Sequence, residues 1–151
     1  MKMLLNGEWV DRESKIDVID PFDGSVVDTV PQGSSADVKL AIDAAVEGFQ
    51  VMRRLSTLER INILRKTSDI VKDNMEEFAQ IIAREGSKTI REARKEAYRC
   101  TTTLDVSSEE ARNIVGETIN FDQSMGSENR RGYYYRFPIG VIAAITPFND
   151  P

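Results

Sequence analysis

Residues 138 to 151 read Pro138-Ile139-Gly140-Val141-Ile142-Ala143-Ala144-Ile145-Thr146-Pro147-Phe148-Asn149-Asp150-Pro151, and this stretch decides the fold. Ile139 to Ile145 carries no charge and mixes β-branched residues with Gly and Ala. That composition predicts a strand covered on both faces, as in a parallel sheet. Pro147 ends the run and leaves Asn149 on the loop at its carboxyl end. In open α/β sheets ligands gather at that end of the strands. One strand cannot make a parallel sheet, so the sequence is expected to stop where a sheet domain begins.

Working outward, the 151 residues are long enough for one domain with a real core. Hydrophobic residues make up 40% and charged residues 30%, which suits a folded globular chain rather than a disordered one. The net charge of -5 gives no reason to expect nucleic acid or an anionic membrane as partner. Arg53-Arg54 and Arg130-Arg131 are isolated doublets and read as solvated charge. No apolar run is long enough to span a bilayer, and the first residues are too short for a signal peptide; a cytoplasmic location is the expectation.

With no histidine and a single cysteine, the sequence excludes a Ser-His-Asp triad, a Cys-His pair, a histidine-ligated metal and an internal disulfide. No metal site is expected. Glu76-Glu77 and Glu109-Glu110 are adjacent carboxylates that point apart on a helix and form no acid/base dyad.

The first thirty residues read as β structure. Asn6-Gly7 between apolar flanks predicts a hairpin, with Trp9 as the residue that holds it down by packing. Ile16 to Ile19 and Ser25 to Val30 read as strands around the turn Pro21-Phe22-Asp23-Gly24. From Ser35 the apolar period becomes helical at Val38, Ile42, Ala45, Val46, Phe49 and Met52. Ser56-Thr57-Leu58-Glu59 is a capping box for a second helix with the stripe Ile61, Leu64, Ser68, Val71. Asn74 offers a fresh cap for a third helix ending at Gly86; the combined stripe also keeps heptad spacing, which leaves a coiled coil open. Ser87 is expected to cap a fourth helix running through Ile90, Ala93, Ala97, Cys100, Leu104, Ala111 and Ile114 to Gly116. Unbroken, it would be about 40 Å long, with a bend expected near Asp105 to Ser108. Cys100 falls in the apolar phase and reads as a buried, inert thiol. Thr118 to Asp122 and Gly132 to Phe137 then read as a two-stranded ribbon that needs a further strand or another subunit.

Residues 136 to 151 resemble the strand-and-loop signature of the NAD(P)-dependent aldehyde dehydrogenase superfamily. Asp20 to Pro31, Ala36 to Ala45, and Arg84-Glu85-Gly86-Ser87-Lys88 with Glu92-Ala93 resemble its earlier segments in the same order. The resemblance implies an α/β fold class: the N-terminal helical and β-hairpin part of an aldehyde dehydrogenase-like fold, ending in the first strand of a Rossmann-like sheet. It divides the chain into 1–117 (N-terminal part of the cofactor-binding domain), 118–137 (oligomerisation ribbon) and 138–151 (first sheet strand and loop). It implies oxidation of a small-molecule aldehyde by NAD or NADP through a cysteine thiohemiacetal, in a homo-oligomer. Asn149 matches the oxyanion-hole asparagine, whose neutral amide donates to charge developing on the attacked oxygen. Ile145, Thr146, Pro147 and Phe148 match the stretch bordering the dinucleotide. The family's nucleophilic cysteine, general-base glutamate and glycine-rich turn lie downstream of this motif, and Cys100 matches none of them. Asp150 stands where many members have an aromatic residue. The chain is therefore expected to be an N-terminal portion, inactive alone. The alternative is a non-catalytic oligomerisation or interaction module of the same fold.

Overall fold

The computed structural model describes residues 1–146; Pro147 to Pro151 lie outside the described residues. The order is β1 (Met3–Leu5), β2 (Glu8–Val10), β3 (Lys15–Ile19), β4 (Val26–Pro31), α1 (Ser35–Met52), α2 (Thr57–Asp73), α3 (Met75–Gly86), α4 (Ile90–Glu110), a 3-10 turn (Ala111–Asn113), β5 (Glu117–Asn120) and β6 (Arg131–Tyr134). The class is mixed α/β, with a helical layer and three antiparallel hairpins.

Each hairpin follows from local chemistry. β1 and β2 pair Met3 with Val10 and Leu5 with Glu8. Between them Asn6 and Gly7 both sit at positive φ, 51° and 80°, the two-residue turn whose twist suits a hairpin. β3 and β4 pair in antiparallel register with an irregularity at Val18/Ile19. Their connection is tied by Asp side chains: Phe22 N–H donates to Asp20 Oδ1 and Ser25 N–H to Asp23 Oδ1, both at 2.9 Å.

Three helices start on complete capping boxes: Ser34 with Asp37, Ser56 with Glu59, and Thr89 with Glu92. The fourth helix therefore starts two residues later than its sequence predicts. Ser87 instead closes α3 at φ 52°, in the left-handed region. Asn74 does separate α2 from α3, but not as a side-chain cap. Its amide donates back to Ile70 O at 2.8 Å, finishing α2, so no single coiled-coil helix forms. α4 runs unbroken for 21 residues, about 32 Å at 1.5 Å per residue, and tightens into the 3-10 turn rather than bending or continuing to Gly116.

The core lies where α2 and α3 meet α4. Its buried apolar residues are Ile61, Ala79, Ile82, Ala93 and Ala97. Ala79 and Ala93 are fully enclosed, and such small side chains let two helix axes approach closely. The buried seam of α4 continues through Thr101 and Ser108, not through Cys100, which is exposed. Small polar residues can take these places because each hydroxyl is satisfied within its own helix. Thr101 Oγ1 donates to Tyr98 O at 2.8 Å and Ser108 Oγ to Asp105 O at 2.7 Å. Ser68 lies opposite and donates to Thr101 O at 3.4 Å.

Burial departs from expectation wherever no partner surface is present among the described residues. Trp9 is 64% exposed rather than packed down. The apolar stripe of α1 is likewise open at Val38, Ile42 and Val46. Ile139 to Ile145 belongs to no ladder among the described residues, because a parallel strand needs neighbours for its N–H and C=O groups. No helix among the described residues is long and apolar enough to cross a membrane.

Candidate functional site

The site predicted from sequence depends on how residues 138–146 are delivered to the loop that follows. Delivery begins at the ribbon. β5 and β6 pair Glu117 with Tyr134 and Asn120 with Arg131. The backbone before β5 passes against the end of β6: a Cβ on Gly116 would stand 1.7 Å from Tyr134 O, so only glycine fits. Arg136 fastens the chain just after the ribbon. Its Nε donates to Val115 O at 3.2 Å, and its guanidinium lies 5.7 Å from the Tyr134 ring centroid. Tyr133 and Tyr135 meet edge to face with centroids 5.6 Å apart.

The next residues lie across the junction of α1 and α2. Pro138, Ile139, Gly140 and Ile142 form one side of an open cleft of about 410 Å³, with Phe49, Met52, Arg53 and Arg60 opposite. Arg53 lies over the Phe49 ring at 5.5 Å. Arg53 and Arg60 were not legible as part of this cleft, since a helix-end arginine reads as solvated charge. Gly140 has φ +116°, a conformation that side-chain-bearing residues rarely adopt, so a substitution here is strained.

Of the expected site residues, Ile145 and Thr146 are described, and both are exposed; Ile145 is 98% so. Pro147, Phe148 and the proposed oxyanion donor Asn149 lie outside the described residues. Segment 137–146 carries no charged side chain. Among the described residues no group of His, Cys, Asp and Glu is placed to hold a metal.

Electrostatics tie the helical layer and the N-terminal strands together. Arg12 Nε and Nη2 both donate to Asp37 Oδ1, at 3.0 and 2.5 Å, and Ser34 N–H and Oγ donate to Oδ2. The Arg12 guanidinium first, and then the Ser34 donors, hold the Asp37 carboxyl well below the ordinary carboxylate range. Arg94, with help from Gln80, lowers Glu76 to about 2. These clasps position elements and carry out no chemistry of their own.

The family model for the aldehyde dehydrogenase family matches residues 9–151. The chain belongs to the aldehyde dehydrogenase family. It is 38% identical over 149 residues to the 3-sulfolactaldehyde dehydrogenase of Priestia megaterium, covering 99% of this chain and 31% of that enzyme. Its fold superimposes on aldehyde dehydrogenase 21 of Physcomitrella patens, solved in complex with the reaction product succinate, with a TM-score of 0.91 and 34% identity. That match covers 99% of this chain and 31% of the neighbour. PnpE in complex with nicotinamide adenine dinucleotide matches with a TM-score of 0.74 and 30% identity, over 78% of this chain and 25% of that one. The chain thus spans about three-tenths of the length of the curated aldehyde dehydrogenase it matches. The four helices and the hairpins are those of an aldehyde dehydrogenase fold in part.

Proposed function

We propose that this chain is the N-terminal portion of an enzyme that oxidises an aldehyde to a carboxylic acid with NAD or NADP, by way of a cysteine thiohemiacetal. The observation that carries this reading is the likeness to an aldehyde dehydrogenase of known structure over 99% of the chain. The nucleophilic cysteine and general-base glutamate of that reaction belong to sequence that these 151 residues do not contain. Residues 1–117 act as the N-terminal part of the cofactor-binding domain, 118–137 as the oligomerisation ribbon, and 138–151 as the first strand and loop of the sheet. The exposed Tyr133, Tyr135 and Phe137 supply the ribbon with an apolar surface for a second subunit.

This chain's own contribution is to position and to stabilise. Asn149 donates its amide N–H to the oxygen on which charge develops, the part a preorganised neutral donor plays in an oxyanion hole. Ile145, Thr146, Pro147 and Phe148 border the dinucleotide. Exposed, uncharged Ile145 and Thr146 fit that place, since no carboxylate among residues 137–146 would repel its phosphates. When bound, the cofactor accepts the hydride. The Priestia relative is named for 3-sulfolactaldehyde and the Physcomitrella enzyme holds succinate. Both names support a small aldehyde bearing an anionic group as substrate.

The decisive experiment is to read the gene past Pro151. A continuing frame that encodes a cysteine and a glutamate in the family's motifs is expected; a stop codon there would sink the proposal. Purified 151-residue chain is expected to give no aldehyde-dependent cofactor reduction, and a measurable rate would contradict the assignment of the nucleophile to later sequence.

A further inference from the structure

The ladder of β5 and β6 ends at Glu117 and Tyr134, and continuing its register outward by two places brings Val115 opposite Arg136. The bond between these two is made by a side chain, with Arg136 Nε donating to Val115 O at 3.2 Å. The same guanidinium lies 5.7 Å from the Tyr134 ring centroid. A charge-assisted bond and an aromatic ring thus hold one planar group. Between them the two chains are close, since a Cβ on Gly116 would stand 3.3 Å from Tyr135 Cα. Arg136 therefore closes the base of the ribbon at the point where its backbone pairing has stopped.

Among the described residues, 137–146 join no ladder and make no hydrogen bond, so Arg136 is the last polar tether before Ile145 and Thr146. Arg60 of α2 marks the route between. It lines one cleft with Arg136 and the next with Ile139, Gly140 and Ile142. We propose that Arg136 is a positioning residue: it fixes the direction in which residues 137–146 leave the ribbon, and through them the place of Ile145 and Thr146. The inference rests on the reading above that those two residues border NAD or NADP. Border residues touch the cofactor in the bound ground state and in the transition state alike. Their misplacement therefore weakens binding and leaves turnover at saturation largely intact. Lysine is a poor substitute, because one ammonium cannot both lie flat against Tyr134 and donate from the side as Nε does.

The test uses the full-length enzyme and reads the Kd of the cofactor by quenching of protein fluorescence, beside kcat at saturating cofactor. Arg136→Ala is expected to raise Kd about tenfold with kcat within about twofold of the unaltered enzyme. Arg136→Lys is expected to raise Kd about threefold. The paired variant Ile145→Ala/Thr146→Ala is expected to weaken cofactor binding by itself. In that background the further effect of Arg136→Ala is expected to shrink to less than about twofold, since the side chains it places are gone. Unchanged Kd in Arg136→Ala, with binding weakened in the paired variant, overturns this inference and leaves the border reading standing. The same tenfold factor in both backgrounds overturns it too, because that marks a general loss of structure. Unchanged Kd in the paired variant overturns the border reading, and this inference falls with it. Should Arg136→Ala fail to fold, Arg136→Lys carried through the same cycle decides.

Discussion

Arg94 of α4 grips Glu76 in the first turn of α3 through two parallel bonds, Nη2 to Oε1 at 2.8 Å and Nε to Oε2 at 2.9 Å. The fork joins helices whose seam holds Ala79, Ile82 and Ala93, and its two bonds favour one mutual geometry. Both side chains are more than half exposed, so its contribution to stability is modest and screened by salt.

That pair has a definite acid signature. Glu76 is lowered from 4.5 to about 2, so the folded state favours the charged form more than the unfolded state does. The stabilisation is fully present above pH 4.5 and is lost as the pH falls toward about 2. The difference in urea midpoint between the unaltered chain and Glu76→Gln is expected to be constant near neutrality and to vanish at the acid end. A difference that persists undiminished well below the folded value of about 2 would assign the effect to packing.

Arg12 and Asp37 make a stronger case, because the carboxylate is buried while both donors come from one guanidinium. Arg12→Ala leaves Asp37 with its Ser34 contacts alone and detaches the N-terminal strands from the start of α1. Faster amide exchange through residues 3–10 and a lower Tm are expected, with Arg12→Lys falling between, since one ammonium cannot reproduce the two-pronged contact. The Asp37 carboxyl should titrate at higher pH in Arg12→Ala, which carbon-detected NMR reads directly. Its depressed folded-state value means that the clasp stabilises above the ordinary aspartate range and fades below it.

Two glycines should respond to alanine with opposite signs. Gly48 lies inside α1 with nothing within 4 Å of an added Cβ. Its replacement should stabilise by about 0.5–1 kcal/mol through helix propensity. At Gly116 the same Cβ meets backbone that cannot move aside without disturbing the ribbon, and a loss of roughly 1–3 kcal/mol is expected. Thermal unfolding of the two variants side by side checks both signs.

In a full-length enzyme, Asn149→Ala is expected to lower turnover about a hundred- to thousandfold with little change in cofactor affinity. Steady-state kinetics in aldehyde and cofactor separate the two. Unchanged turnover would remove Asn149 from the oxyanion role.

What the sequence disclosed and what it hid divide along a physical line. The Ser56–Glu59 box and the Asn6-Gly7 turn were legible because their partners lie two or three residues away. The two-stranded ribbon was legible in outline, with its edges shifted by a few residues. Burial was not legible, because it depends on what is opposite. Trp9 and the α1 residues Val38, Ile42 and Val46 look like core residues, yet each stays about half exposed or more among the described residues. Cys100 looks apolar enough for the seam, but Thr101 took that place by satisfying its own hydroxyl. The cleft beside Gly140 was illegible for the same reason, since it joins residues some ninety positions apart.

The seam between α2, α3 and α4 also bears on the order of assembly. These helices follow one another directly, and the connections at Asn74 and at Ser87 to Thr89 are only one to three residues long. Contacts between α3 and α4 close a short loop, while those between α2 and α4, such as Ser68 Oγ to Thr101 O, lie 33 residues apart, still a modest cost because closure entropy grows only slowly with length. Residues 139–145 need strand partners and belong to no ladder among the described residues. As the chain is synthesised, the helical seam is thus free to set before strand pairing by those residues is under way, so that the slowest and most aggregation-prone step begins against a surface already formed.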